Sequence, residues 1–196
     1  FALIAYASAW LKVHRAAEFF VGLLNNQPMG FYSSATLIQD ARRHGVKALP
    51  VSVVESRWEC TVENDATIRL GFCVVRSFSQ EEGERIVRER ELRPFASVED
   101  FQLRTRLSKG SRRTLAKIGA LNGLAAHRRD AMWKVEMSRE PDDLFGRLSE
   151  AGVCASPLKA MDRGERVQAD YQGTGLTTGR HPMALIRPYL DGIWRA

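Results

Sequence analysis

Cysteine is scarce. The three present, Cys60, Cys73 and Cys154, show no C-x-x-C spacing, which argues against a disulfide framework or a zinc site and points to a reducing cytoplasm. Long apolar runs are also lacking. The longest starts Phe1-Ala2-Leu3-Ile4-Ala5-Tyr6-Ala7 but meets Lys12, His14 and Arg15, well short of the roughly 20 residues a membrane span needs. The four histidines, His14, His44, His127 and His181, have no i, i+4 partner and no cysteine nearby, so metal ligation is not expected. Asp142-Asp143 lacks the acid-x-acid alternation that holds two metal ions for phosphoryl transfer. The glycines of Gly173-Thr174-Gly175-Leu176-Thr177-Thr178-Gly179-Arg180 do not fall at G-x-x-x-x-G-K, so a flexible linker is expected there rather than a phosphate loop. What remains is a chain of 196 residues, 44% hydrophobic and 27% charged, the mix of an ordinary globular protein of one large or two small domains. It starts at Phe1 within what reads as a running helix, and is expected to be a piece of something longer.

The net charge of +6 is concentrated. Residues 76–139 hold 15 Lys and Arg against 9 Asp and Glu, and the rest of the chain is balanced. Between Arg104 and Lys134 stand Arg104, Arg106, Lys109, Arg112, Arg113, Lys117, Arg128 and Arg129 with the single acid Asp130. Such a field suits a polyanion.

Helix periodicity runs from Phe1 to Leu24 with most faces apolar, which predicts a nearly buried helix ended by Asn25-Asn26-Gln27-Pro28. Ser33 or Ser34 caps a second helix through His44, with Gly45 as its stop. The β-branched run Val51–Val54 and the segments 58–62 and 67–72 are the strand territory, the last two forming a hairpin over about 58–72. Short helices follow at about 80–91, 97–105, 111–118, 128–137 and 142–150, with a capping box at Ser97–Asp100 preceded by an apolar staple at Phe95. One more helix lies near 165–171, and His181-Pro182 opens a last amphipathic turn. The fold class is therefore mainly α with a small β hairpin.

Residues 74–87 have the outline of a helix-hairpin-helix: apolar residues, a tight turn with one apolar plug at Phe78, then an amphipathic helix. In such a unit the hairpin amides and the helix N-terminus face a phosphate without reading sequence. A second copy is drawn from Arg112–Ile118 through the turn 119–124 into Arg128–Val135. The bland alternative is a structural bundle whose turns contain Gly and Ser. A further alternative is a protein-docking platform.

The runs Phe1–Lys12, Leu23–Ser33 with Asn26-Gln27-Pro28-Met29-Gly30-Phe31-Tyr32, Asp40–Val46, Pro94–Ser97, Arg128–Trp133 and His181–Leu185 resemble the bacterial C-family DNA polymerases, on their error-prone, damage-inducible branch. The resemblance implies the last part of a fingers domain (1–73), a tandem helix-hairpin-helix domain (74–139), and a linker (140–196) toward an OB-fold domain. It implies duplex DNA as partner and no catalytic residue or cofactor in this stretch, and the basic run and the two hairpins give Arg76, Ser77, Ser79, Arg104, Arg106, Lys109, Arg112, Arg113, Lys117, Gly119, Arg128 and Arg129 as the expected binding residues. The Mg²⁺-binding aspartates belong to the palm of that family. Ser77-Phe78-Ser79 stands where the family has glycines around the apolar residue. Leu144-Phe145 occupies the place of the sliding-clamp motif, with Pro141 where its Gln stands, so that clamp contact is expected through these two residues or through mutagenesis accessory proteins.

Overall fold

The computed structural model describes residues 1–137 and 156–190. Three helices lead: α1 (Ala2–His14), α2 (Ala16–Asn25) and α3 (Ser34–Arg43). The single helix expected over 1–24 is two, broken at Arg15 (φ −138°, ψ 54°), and no residue type at that position announces the break. It separates two different surfaces. α2 buries Ala17, Phe20 and Leu24, whereas α1 buries nothing and turns Leu3, Ile4 and Tyr6 outward, so the expectation of a nearly buried helix holds for its second half only. α3 starts as expected, Ser33 accepting from the Thr36 amide at 3.3 Å, and stops before Gly45 at φ +81°.

Strands β1 (Lys47–Leu49), β2 (Thr61–Asn64) and β3 (Thr67–Arg69) form a sheet of order β1-β3-β2. The β2–β3 pairing is the expected hairpin, antiparallel with a bulge between Val62 and Asn64, while β1 joins β3 in parallel. The run Val51–Val54 is not a strand. Ser52 and Ser56 bond each other's backbone instead, the Ser52 amide to Ser56 Oγ at 3.0 Å and the Ser56 amide to the Ser52 carbonyl at 2.8 Å, which holds a turn where a ladder was expected. Val53 still enters the core, its amide donating to Ala120 at 2.9 Å. Cys60 and Cys73 are neighbours and free thiols. Cys154 lies outside the described residues.

After a 3-10 turn at Phe72–Val74 come α4 (Gln80–Leu92), α5 (Val98–Thr105), α6 (Lys109–Ile118) and α7 (Arg128–Met137), then α8 (Arg163–Thr174) and α9 (Pro182–Ile186). Ser97 caps α5 through the Asp100 amide, but Asp100 reaches the Ala96 amide at 3.1 Å rather than closing a box. Complete capping boxes occur at Ser79/Glu82 on α4 and Asp162/Glu165 on α8. Phe95 packs edge-on against Phe101 with centroids 5.2 Å apart, as the staple requires.

One contiguous hydrophobic core runs from Ala17 on α2 to Leu176 beyond α8, through Phe72, Ile86, Phe101, Leu115 and Leu121. The stretch expected to be a linker therefore contains packed structure: α8 lies on α6, and a Cβ at Gly173 would stand 2.2 Å from Ile118 Cγ2. Arg42 on α3 donates to the carbonyls of Thr178 and Gly179, tying this segment back to the first helices. Among the described residues no helix is long and apolar enough to cross a membrane.

Candidate nucleic-acid interface

Two turns share one geometry. In the first, Ser77 sits at φ +53°, Phe78 is buried against Phe72 with centroids 5.8 Å apart, and Ser79 caps α4 by accepting from the Glu82 amide at 3.2 Å. In the second, Arg106 sits at φ +46°, Leu107 is buried, and Ser108 caps α6 by accepting from the Ser111 amide at 3.0 Å. The order is the same in each: a left-handed residue, an apolar plug, a serine cap. The copy of the first hairpin is thus at 105–108, one helix earlier than the turn 119–124 expected from the sequence. That later turn is tight as well, with Gly119 at φ +82°. Its carbonyl accepts from the Asn122 amide at 3.1 Å. It closes around buried Leu121, but its following helix begins only at Arg128.

The two helix starts are fastened together. Ser111 Oγ, at the third position of α6, donates to Glu82 Oε1, at the third position of α4, at 2.8 Å, and Arg85 of α4 donates to the Thr105 carbonyl at 3.3 Å. Each helix offers free amides and a positive dipole end. They are not equal. α4 carries Glu81 and Glu82 in its first turn, which oppose an incoming anion, while α6 has no acid there and carries Lys109. On this ground hairpin two is the better candidate for an anion, although the Glu82 carboxylate also reaches its helix start through Ser111. The left-handed conformation costs a non-glycine residue about 1–2 kcal/mol, partly offset by the extra chain entropy that glycine loses on folding. Ser77→Gly should therefore stabilise the chain by about 0.5–1 kcal/mol in a urea-unfolding measurement.

The basic residues expected to meet phosphate divide into two sets. Arg76, Ser77, Ser79, Arg106, Lys109, Arg113 and Lys117 are exposed at or near the hairpins and along α6. The others serve the fold. Arg104 lies in a cage, stacked 4.8 Å from the Phe95 ring centre and bonded to Glu89, Asp100 and the Arg93 carbonyl. Arg112 is buried and donates to Gln102 Oε1 at 3.2 Å. Arg128 pairs with Asp170 at 2.7 Å, and Arg129 with Glu165 at 2.5 Å. Gly119 is buried beneath the Arg128 side chain, where a Cβ would stand 2.6 Å from Nε. Charge alone could not separate these sets, because a guanidinium in a structural ion pair and one facing solvent read alike. Leu144 and Phe145 lie outside the described residues.

Glu136 near the end of α7 takes up part of the exposed set, accepting both guanidinium arms of Arg113 and pairing with Lys109 at 3.4 Å. The Arg113 hydrogen bonds hold its carboxyl down at about 2 instead of the usual 4.5. A carboxyl depressed in the folded state adds stability above its unfolded pKa and loses it as pH falls from about 5 through about 2. The pair is solvent-exposed, so that the contribution is small. An NMR titration should find Glu136 still ionised at pH 3.5, with Arg113→Ala returning it toward the ordinary range.

Sequence reasoning missed Leu107 and Ser108. The available signal was the equal spacing of Ser77-Phe78-Ser79 and Arg106-Leu107-Ser108, hidden because neither left-handed position holds glycine.

A capped pair of hairpins feeding adjacent helices is the architecture of a helix-hairpin-helix nucleic-acid-binding region, and residues 45–131 match the family model of the helix-hairpin-helix motif. Along nearly its whole length the chain is similar to one stretch of proteins named error-prone DNA polymerase. It is 44% identical over 98% of its length to the error-prone DNA polymerase of Aromatoleum aromaticum, covering 19% of that protein. With that of Dechloromonas aromatica it shares 45% identity over 97% of its length and 18% of the relative. For Pseudomonas aeruginosa the figures are 43%, 97% and 19%. The chain thus spans about a fifth of the length of the curated relatives it matches.

Proposed function

We propose that this chain is the duplex-gripping part of an error-prone DNA polymerase acting in damage-induced synthesis past lesions. It holds primer-template duplex through phosphates, without sequence preference, and does no chemistry itself. The observation that carries this reading is the fastened pair of hairpins, in which Ser111 and Glu82 tie the α4 and α6 starts together, with the exposed cations Arg106, Lys109 and Lys117 in the second turn and along α6. Backbone amides and a helix dipole recognise a phosphate wherever it occurs along a duplex, which makes the grip indifferent to base identity. Nucleotidyl transfer belongs, in this reading, to other parts of the parent enzyme. Among the described residues no group of three or more His, Cys, Asp or Glu side chains is placed to hold a metal ion.

The test is fluorescence-anisotropy titration of the chain with two labelled duplexes of unrelated sequence at one salt concentration. Equal affinities, within a few-fold, are expected. A preference beyond about tenfold would mean that base edges are read, since one good base contact discriminates by about 1–3 kcal/mol.

A further inference from the structure

Away from the hairpins, a cleft of about 350 Å³ opens between the start of α7, the outer face of α8 and the segment 177–180. Four guanidinium groups line it, those of Arg128, Arg163, Arg166 and Arg180. The one carboxylate in its lining, Asp170, is already engaged: Oδ1 pairs with Arg128 at 2.7 Å and Oδ2 accepts from Thr177 Oγ1 at 2.7 Å. Asp170 and Thr177 are buried, which makes this network a fixed floor. Arg163, Arg166 and Arg180 stand exposed at the rim. Arg166 is braced from behind, its Nε donating to the Met161 carbonyl at 3.1 Å.

The lining carries four guanidiniums and one carboxylate, and the nearby Glu165 is taken up by Arg129, so the cleft has an excess of positive charge that suits an anion. Guanidinium forks match phosphate oxygens in pairs and keep their charge when partly desolvated. Val167 and Leu185 add apolar surface to the lining, so the cleft is not a pure ion site: it offers charge to a phosphate and apolar surface to the sugar or base attached. Its volume is at the small end of ligand sites and admits one strand rather than a duplex cylinder. α8 links it to the interface, since the Arg76 amide beside hairpin one donates to the Gly173 carbonyl at the far end of that helix at 2.8 Å, about 18 Å along a helix of this length.

We propose that this cleft is a second phosphate-binding site, which holds the backbone of a single nucleic-acid strand adjoining the gripped duplex. The proposal rests on the nucleic-acid reading given above but on different residues, and the two fail separately.

The experiment titrates the chain with a labelled oligothymidylate and a labelled duplex at several salt concentrations, for the wild type, for Arg163→Ala/Arg166→Ala/Arg180→Ala and for Arg106→Glu/Lys109→Glu. The rim variant should lose at least about tenfold in single-strand affinity and about two in the magnitude of its log-log salt slope, at about 0.7 per phosphate, with duplex affinity within about twofold of wild type. The hairpin variant should lose duplex binding and keep the single strand. Single-strand binding unchanged by the rim variant overturns the proposal. So does binding of tripolyphosphate by the wild type with no binding of the single strand, which would assign the cleft to a free polyphosphate. Failure of the hairpin reading shows in the duplex arm alone.

Discussion

Arg106→Glu together with Lys109→Glu should lower duplex affinity by at least about 100-fold at about 100 mM salt and leave the melting temperature almost unchanged. The first part follows from what hairpin two offers. α6 has no acid in its first turn and a lysine at its first position, and Arg106 projects from the left-handed corner of the turn. A hydrogen bond to a charged partner is worth about 1.5–3 kcal/mol, and two are removed while two repelling charges are added beside the amides that remain. The log-log salt slope should also fall in magnitude by about two, at about 0.9 per phosphate on a duplex. The second part follows from exposure. Neither side chain is buried, and the Lys109–Glu136 pair lost with them is a surface contact of little weight. The equivalent reversal at hairpin one, Arg76→Glu, should cost less, because Glu81 and Glu82 already weaken the α4 start.

Phe101→Ala should destabilise the chain by about 3–5 kcal/mol, the range for deleting a fully buried ring. Phe101 is wholly inside, edge-on to Phe95, and Phe95 is the floor on which the Arg104 guanidinium rests. Removing the ring leaves a cavity under α5, the helix that enters hairpin two, and takes away the edge contact that backs the Phe95 ring, while the bonds of Arg104 to Glu89 and Asp100 persist. Against a typical total of about 5–15 kcal/mol, this is enough to threaten the fold. Chemical denaturation measures it directly. A cost below about 1 kcal/mol would mean that α5 collapses onto the space without penalty.

Much of the helical frame was legible because its signals are local. Ser33 and Ser97 cap helices as expected, and a cap needs only a short side chain in the right place before an apolar period. The β2–β3 hairpin was legible for the same reason. β1 was not: three residues ending at a proline carry no alternation, and their pairing with β3 is parallel and non-local. The internal partners of Arg104, Arg112, Arg128 and Arg129 were not legible for a related reason, since Glu89, Gln102, Asp170 and Glu165 come from other turns of chain. The arginine cleft was invisible in sequence because α8 looked like part of a linker, and only its packing on α6 brings Arg128 beside Arg166 and Arg180.

The salt dependence of duplex binding tests the central claim most directly. Neutralising four to six phosphates predicts a log-log slope of about −4 to −5 for the wild-type chain, by counterion release. The slope should become shallower in the hairpin-two variant and stay the same for duplexes of unrelated sequence. A slope near zero, with affinity that persists at high salt, would contradict a grip through phosphates and turn the basic region into a surface for some partner other than nucleic acid.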